Sequence, residues 1–581
     1  MLSVIYKKIR LPAVNAFALL VPIVGQAAEL LPLSSPADHI VQQEQQRLLE
    51  QRRQQQDVER ERTRQAPKKE QAKTDYSASN VCFDISDIDL NGVSLLPVSD
   101  FSSLLQSYRQ RCLGSKELNQ LLQAITQHYF NKGYVTSRAY LPQQNLADGS
   151  LTIEVVEGVV QSVKRATDNT VDSEVDEEGF AGLFFHVADQ PLNLRDLEQN
   201  LEQINRLRSY RATMQLLPGD EAGSSVVMIE QDRDKPWQLT GQVNNSGQPS
   251  TGEIQQQVML GWDSPLGLYD YGYLSYQGDN KHKNSGKMSK SVSGHWDVPL
   301  GYWNVLVDAS RFKYSSVVHS DVRAFTTTGV SNSQQLTVQR ILARDGDSKL
   351  RVEGSLQRKD SKNYMAGVLL QNSSRTLAIA SLGINHEQYF SGGGLLLSAL
   401  SYQRGLDAFD SPDDDDNRDR YAPKAQFDSY GGSLEWRQPF RIGELGGQYR
   451  TRLVGQYSED ELFGSEQISI GGQYTVRGYK GNSLSGDSGG YWRNDVSLDI
   501  ATPFGGPWLT RLSPFIGLDT GYVRSVFIDG DKYPRLSGWA TGVNANGQHW
   551  AATLQWSQPI KAPRYMRDTG EQFEFSVSLF L

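Results

Sequence analysis

The chain has 581 residues and a formal net charge of -9, and its length predicts two to four domains rather than a single core. The acidic balance argues against nucleic acid as a partner, because nucleic-acid binding needs a basic face. A mean hydropathy of -0.50 argues against helical membrane spans, whereas a membrane barrel of alternating strands has this polar average.

The chain begins with the pattern of a secretory signal peptide. Three cations, Lys7, Lys8 and Arg10, precede an apolar stretch over residues 11–25. Small residues lie at the end of this stretch and just after it: Gly25, Ala27 and Ala28. This order of a basic, an apolar and a small-residue region is typical of export signals. We therefore expect residues 1–28 to be cleaved after Ala27 or Ala28.

Residues 29–80 are a charged, Gln-rich segment, which we interpret as a helix followed by a linker. Ser35 can cap the helix, Pro36 suits its first position, helix-forming residues run to about Arg64, and Pro67 stops it. The helix has almost no apolar face, the candidates being Ile40, Val41, Leu48, Leu49 and Val58. It is therefore not a core helix. It lies in solvent, fills a water-filled cavity, or forms a weak coiled coil.

Residues 81–158 and 159–235 predict two small α/β modules that repeat one order of elements. In the first, a helix over residues 115–134 has a 3.6-residue apolar period: Leu118, Leu121, Leu122, Ile125 and Tyr129. In the second, the matching helix covers residues 194–210. The repeat resembles the POTRA fold, a β-α-α-β-β unit. We expect residues 136–142 and 211–219 to form strands near the open sheet edges.

The only two cysteines of the chain, Cys82 and Cys112, lie in the first module. In an oxidising compartment they can form a disulfide, which would stabilise the fold by about 3–4 kcal/mol in the chain-entropy model. Two free buried thiols are the alternative. Two cysteines cannot make a closed zinc site, and the eight histidines have no ligand spacing, so we expect no metal.

From Pro236 to Leu581 apolar and polar residues alternate. In residues 301–312 the outward set is predicted to be Trp303, Val305, Val307 and Ala309, and residues 572–581 alternate in the same way. Such strands, with aromatic residues at their ends and charge on the inner face, suit a membrane β-barrel that faces outer-membrane lipid. At 9–11 residues a strand plus turns, we expect about 16 antiparallel strands over residues 236–581.

A signal peptide, a polar helix, two POTRA-like modules and a barrel, in this order, resemble the outer-membrane transporters of two-partner secretion, in the barrel-assembly superfamily. Local phrases carry the resemblance: DSPLGLYD (263–270), VPLGYW (298–303), SIGGQYTVRGYKG (469–481), SGDSGGYWRND (485–495) and FIGLDTGYV (515–523). The family implies the outer membrane of a Gram-negative bacterium, with the POTRA modules in the periplasm.

The family also implies a loop tether. Its VRGY motif falls on Val476, Arg477, Gly478 and Tyr479, at the tip of a long sixth extracellular loop that folds back into the barrel. Its aspartate partner, in a D-x-G phrase on a barrel strand, falls on Asp519, with Gly521 completing the phrase. An arginine fork on a wall carboxylate is a strong, directional contact, which offsets the entropy of ordering a long loop.

Two other motifs suggest a protease site and a calcium site, but the surrounding sequence supports neither. Ser488 lies in GDSGG, which resembles the nucleophile region of trypsin-like proteases, but the preceding histidines lack the required context, Tyr491 replaces the usual proline, and no helix follows. We expect Ser488 in a loop and no catalysis. Residues 410–421 hold six aspartates but lack the glycine and glutamate of an EF-hand, which favours a solvated extracellular loop.

We therefore expect a passive pore that is not an enzyme and uses no cofactor. The resemblance implies that one large, unfolded exoprotein, a cytolysin, an adhesin or a contact-dependent inhibition toxin, is recognised in the periplasm through its N-terminal secretion domain. No nucleotide-binding motif is present in the sequence. We expect a monomer, with the polar helix as the plug of the resting pore. The alternative is a barrel-assembly insertase of the same superfamily.

Overall fold

The computed structural model describes residues 36–63, 81–166, 178–279, 286–319, 324–415, 421–501, 506–524, 533–566 and 570–581. The predicted signal peptide, residues 1–28, and the predicted linker over residues 64–80 lie outside these ranges, as does the predicted helix cap Ser35.

The polar segment forms one long helix, α1 (Pro36–Thr63). It covers the predicted helical residues from Pro36 to Thr63, and the chain on either side lies outside the described ranges. Asp38 lies in its first turn and Arg60 and Arg62 in its last, as the helix dipole favours. No helix in the described part of the chain combines the length and the apolar character that crossing a membrane requires.

The first module contains two helices and two small sheets. Its elements are β1 (Cys82–Ile85), β2 (Asp87–Asn91), α2 (Ser102–Tyr108), β3 (Arg111–Gly114), α3 (Ser115–Asn131), β4 (Arg138–Tyr140) and β5 (Ser150–Val156). The three-stranded sheet has the order β2-β5-β4, and β1 pairs with β3. Cys82 and Cys112 form a disulfide across that pair. The apolar face of α3 covers the sheet, since Leu121, Ile125 and Tyr129 are fully buried.

The second module has the expected β-α-α-β-β order. Its elements are β6 (Val159–Ala166), α4 (Glu178–Phe184), α5 (Leu194–Asn205), β7 (Tyr210–Pro218) and β8 (Ser224–Arg233). The sheet order is β6-β8-β7. Helix α5 ends earlier than predicted, because the chain turns at residues 206–209 to begin β7. Strands β4 and β7 both lie at a sheet edge, as expected for residues 136–142 and 211–219.

Among the described residues, sixteen antiparallel strands close a barrel. They are β9 (Trp237–Asn244), β10 (Gln255–Asp263), β11 (Tyr271–Asp279), β12 (Met288–Leu300), β13 (Trp303–His319), β14 (Ala324–Arg344), β15 (Ser348–Met365), β17 (Arg375–Tyr389), β18 (Leu395–Leu406), β19 (Asp428–Ile442), β20 (Leu445–Tyr457), β23 (Ser488–Ala501), β24 (Arg511–Arg524), β25 (Arg535–Asn546), β26 (Trp550–Lys561) and β27 (Gln572–Phe580). A short strand, β16 (Val368–Leu369), pairs with the end of β15 in the same sheet, and β21 (Ile468–Ile470) and β22 (Leu484–Gly486) form a separate two-stranded sheet. Strand β27 pairs with β9 and closes the ring.

The alternation of the sequence sets the two faces of this wall. On β12, Val292, Trp296 and Leu300 are exposed, whereas Ser291, Ser293 and Asp297 between them are buried. The exposed apolar set faces outward, as membrane barrels require, and the polar set lines the interior. The wall thus surrounds a polar lumen. Strands β21 and β22 form a hairpin within the long loop of residues 458–487, which enters that lumen.

Candidate functional site in the barrel lumen

The tip of the long loop reaches the barrel wall through Arg477. Its Nε atom donates to Oδ2 of Asp519 at 2.6 Å and its Nη2 atom donates to Oδ1 at 2.7 Å. The backbone N–H of Arg477 also donates to Oδ2, at 3.0 Å. Only 1% of the Arg477 side chain and none of the Asp519 side chain is exposed. The contact is therefore a bidentate fork in a dry site, the strongest form of this interaction.

A second carboxylate faces the same guanidinium, and our sequence analysis did not assign it. Nη1 of Arg477 lies 2.7 Å from Oδ1 of Asp495, on the neighbouring strand β23. A Cβ atom at Gly517 would lie 2.1 Å from Nη2 of Arg477, so glycine leaves the space that the guanidinium fills. Asp495 ends the phrase SGDSGGYWRND, but only the register of β23 against β24 brings it to the arginine.

Glycines allow the backbone of the loop to approach the wall closely. Gly478 has a φ of +93°, and a Cβ atom there would lie 2.6 Å from the carbonyl carbon of Gln558 on β26. Both its conformation and its surroundings therefore require glycine. A Cβ atom at Gly521 would lie 3.2 Å from Cγ2 of Val476, so this position accommodates the neighbour of the arginine.

Val476 and Tyr479, the other two side chains of the motif, cover the ion pair of Arg477 and Asp519. Val476 and Tyr479 are buried in an apolar cluster with wall residues that include Tyr491, Val523 and Leu536. The Tyr479 hydroxyl lies 2.7 Å from the carbonyl oxygen of Ser537 and 2.6 Å from that of Lys561. The cluster excludes water from the ion pair, which strengthens the pair electrostatically.

Helix α1 runs through the same lumen and is held mainly by ion pairs with several strands. The measured pairs are Arg52–Asp308 (2.7 Å), Arg53–Glu435 (3.1 Å), Arg60–Glu387 (2.9 Å) and Asp57–Arg437 (2.7 Å), and Asp38 pairs with Arg375. These partners lie on β13, β17 and β19, which surround the helix. The first turns of α1 add an apolar contact, where Ala37, Ile40 and Val41 pack on Phe312 and Tyr314.

The helix also contacts the loop directly. Nε2 of Gln42 donates to the carbonyl oxygens of Gly464 and Gln467, and Ser485 Oγ donates to Oε1 of Gln42 at 2.9 Å. Nε2 of Gln46 donates to the carbonyl oxygen of Ser469 at 3.0 Å. The contact consists of neutral polar side chains, so helix and loop meet through hydrogen bonds and without an ion pair among these groups.

A cavity of about 290 Å³ remains between the helix and the wall. Its lining is strongly polar and includes Arg47, Glu50, Arg452, Gln473, Arg493 and Glu574. Polar cavities of this size hold water. The two occupants therefore fill the lumen only in part, and the ion pairs of α1 lie beside this polar space.

The second module is fixed to the mouth of the barrel by buried ion pairs from α5 and the residue after it. Arg206 donates from Nη1 to Oδ2 of Asp297 at 3.0 Å and from Nη2 to the carbonyl oxygen of Tyr269 at 3.0 Å. Glu202 pairs with Arg344 at 2.5 Å and with Lys349. Burial opposes ionisation of Glu202, but these two cations outweigh it and hold the pKa of this carboxyl below its ordinary value.

The hydroxyl of Ser488 is engaged by backbone groups of Ser458. Ser488 is the first residue of β23, not a loop residue as predicted, and its hydroxyl donates to the carbonyl oxygen of Ser458 at 3.0 Å. The same hydroxyl accepts from the Ser458 N–H. Of the aspartate-rich loop, residues 416–420 lie outside the described ranges. Within the described residues, no group of three or more His, Cys, Asp or Glu side chains could hold a metal ion.

A closed barrel with a polar lumen, a folded loop and helix inside it, and two sheet modules before it defines the class of outer-membrane transport proteins with POTRA modules. The model of the family described as "Haemolysin secretion/activation protein ShlB/FhaC/HecB" matches residues 223–545. A ShlB-type POTRA domain matches residues 83–158, and a further POTRA domain matches residues 162–218.

Relatives and a solved structure agree with this match. The outer membrane transporter CdiB of Escherichia coli is 32% identical over 92% of this chain and 90% of its own length. CdiB of Dickeya dadantii (strain 3937) is 31% identical over 85% of this chain and 86% of its own. The structure of CdiB from Escherichia coli has a TM-score of 0.84 at 29% identity and covers 95% of this chain and 100% of that chain.

The chain therefore belongs to the ShlB/FhaC/HecB family of haemolysin secretion/activation proteins, and the resemblance to two-partner secretion transporters is confirmed. Its barrel lies in the outer membrane and its POTRA modules lie in the periplasm. The general function of such proteins is the translocation of a partner exoprotein.

Proposed function

We propose that this chain is the pore through which one large exoprotein, still unfolded, crosses the outer membrane. The supporting observation is the occupied polar lumen. A wall of sixteen strands is wide enough for an aqueous channel, and α1 and the loop occupy it through polar contacts. In this proposal α1 plugs the resting pore, and the Arg477–Asp519 fork holds the loop against the wall while the chain passes.

The POTRA modules recognise the N-terminal secretion domain of the exoprotein in the periplasm. Strands β4 and β7 each lie at a sheet edge, where unpaired backbone groups can accept an extended segment. Backbone pairing would provide affinity, and side-chain contacts would select the partner. The transporter works as a monomer and hydrolyses no nucleotide, so folding of the exoprotein outside the cell drives its export.

Co-expression with the exoprotein encoded beside this gene tests the proposal. We expect the exoprotein to reach the cell surface or the medium only when this chain is present, and to remain in the periplasm without it. An unrelated exoprotein with its own secretion domain serves as the specificity control. Retention of the neighbouring exoprotein in the presence of the assembled barrel would reject this pairing.

Calorimetry with the full chain in nanodiscs tests recognition separately. We expect the secretion domain of the neighbouring exoprotein to bind at about micromolar Kd, typical of weak transient contacts, because a tightly held client could not enter the pore. The secretion domain of an unrelated exoprotein should give no heat. Absence of heat with the correct domain would reject recognition of the secretion domain by this chain.

The barrel-assembly insertase is the second candidate. It predicts that the purified chain in liposomes accelerates the folding of unrelated outer-membrane barrels, whereas a secretion pore does not. The buried Arg206–Asp297 pair favours the pore, because it fixes the second module over the mouth of the barrel. A rate increase for several unrelated barrels would support the insertase instead.

A further inference from the structure

Helix α4 of the second module lies across two adjacent periplasmic turns of the barrel. A Cβ atom at Gly179 would lie 2.0 Å from the carbonyl oxygen of Gly267, in the turn between β10 and β11. A Cβ atom at Gly182 would lie 3.9 Å from Cδ2 of Leu300, at the end of β12. Since Leu300 belongs to the outward, lipid-facing set of its strand, α4 lies at the outer rim of the barrel.

The residue after α4 breaks the burial pattern of this segment. Leu183, Phe184 and Val187 are buried in the core of the module. Phe185 turns away from them and is 68% exposed. The ring of His186 follows it against Tyr302, at a centroid distance of 5.7 Å, in the turn between β12 and β13. These contacts hold Phe185 next to the barrel rim, and its side chain does not belong to the buried core of the second module.

Exposed apolar side chains of the barrel continue this surface. Leu300 and Trp303 are 42% exposed at the facing strand ends, and Leu266 is exposed in the adjacent turn. The outward face of the barrel is covered by lipid, and aromatic residues lie where its apolar belt meets the headgroups. Phe185 therefore extends an established lipid interface, and the surface that it meets is the periplasmic leaflet.

We propose that α4 docks the second module on the periplasmic leaflet of the outer membrane, with Phe185 inserted among the lipids. Docking of this kind sets the height and tilt of the module relative to the membrane, in addition to the ion pairs of α5. The contact is apolar, because the side chain that enters it is the exposed Phe185. Anionic lipid should not strengthen it.

Lipid-borne quenchers test the docking in the full chain reconstituted in phosphatidylcholine liposomes. Both native cysteines are in the disulfide, so one introduced cysteine can carry a fluorophore. We choose Ala181→Cys, an exposed α4 position four residues before Phe185, because it leaves the phenylalanine intact. Leu300→Cys is the control in the belt. Leu217→Cys, exposed on β7 away from the rim, is the control in water.

We expect quenching by doxyl lipids at position 181 to approach that at position 300, and to exceed that at position 217 by about threefold or more. Adding Phe185→Asp should lower the signal at 181 to the level of 217, whereas Phe185→Leu should preserve it. Equal quenching at 181 and 217, or an unchanged signal with Phe185→Asp, would overturn the proposal. Quenching that rises when phosphatidylglycerol is added would also overturn it, since the contact would then be electrostatic.

Discussion

The loop of residues 458–487 and helix α1 occupy the same lumen but are attached in opposite ways. The loop is fixed at one point, where Arg477 and Asp519 are almost completely buried and an apolar cluster covers them. The helix is fixed at many points, where side chains such as Arg52 and Arg53 keep 33% and 22% of their surface exposed. The first attachment is concentrated and almost completely buried, and the second is distributed over pairs that are mostly part-exposed, apart from Asp38–Arg375, whose side chains are 10% and 9% exposed.

The physical consequence is a difference in how each attachment breaks. Removing one partner of a buried ion pair costs about 3–5 kcal/mol, because it leaves an uncompensated charge. A water-exposed pair contributes only about 0–1 kcal/mol and is screened by salt. The helix can therefore detach by losing weak contacts one after another, whereas the loop must break its fork as a unit. We infer that α1 is the movable plug and that the loop stays in place.

Substitution of the fork is the strongest test of this difference. Arg477→Ala and Asp519→Ala should each reduce secretion of the exoprotein by about 100-fold or more, as a loss of 3–5 kcal/mol implies. The barrel should still assemble, and the loop should become accessible to protease added to intact cells. The double variant should lose little more than either single variant, because both remove one contact. Glu353→Ala, a carboxylate on β15 away from the fork, is the control. Additive losses would show that the two residues act independently.

Removal of the helix should have the next largest effect. A helix occupies a cylinder of about 10–12 Å with its side chains, so replacing residues 36–63 by a glycine-serine linker of equal length should raise single-channel conductance in planar bilayers severalfold. Because the linker keeps the chain length constant, a change in conductance reports the loss of the helix and not a shorter connection to the modules. Unchanged conductance would mean that the lumen is closed by the loop alone.

Without any substitution, a high salt concentration should weaken the attachment of helix α1 but not that of the loop. Raising the salt concentration shortens the Debye length from about 10 Å at 0.1 M to about 3 Å at 1 M. Large openings of the wild-type channel should then become more frequent, in addition to the rise in conductance that follows the conductivity of the solution. The loop should stay resistant to protease. If the conductance rises with the conductivity of the solution but the frequency of openings does not change, the ion pairs of α1 do not hold the plug.

A single helix pair should have the smallest effect. Arg52→Gln removes the contact with Asp308, in which the arginine keeps 33% of its side chain exposed, and, at about 0.2–1 kcal/mol, should raise the open probability about fivefold at most. Arg340→Gln, an arginine that lies over the ring of Trp303, is the matched control and should leave it unchanged. A change as large as that of the Arg477 variant would show that the helix, too, depends on one dominant contact.

Much of the architecture was predictable because it depends on neighbours in the chain. The proline and the helix formers predicted a helix over the residues that α1 covers, Pro36–Thr63. The alternation of apolar and polar residues predicted lipid-facing side chains of β13 and β27, such as Trp303, Val307 and Phe573, since side chains of a strand point to opposite faces in turn. The resemblance implied two helices in each module, but the sequence did not locate α2 and α4, because a helix as short as the seven residues of α2 carries too little periodicity.

The partners inside the lumen were decided by tertiary structure alone. Asp495 reaches Arg477 only through the register of two strands, and Arg60 reaches Glu387 across more than three hundred residues of chain. The resemblance to known transporters supplied Asp519, but no local pattern distinguishes it from the other aspartates. A sequence shows which residues can line a polar interior. Which of them meet is set by the closure of the barrel, because strand register and tilt bring distant residues to one height and one side of the lumen.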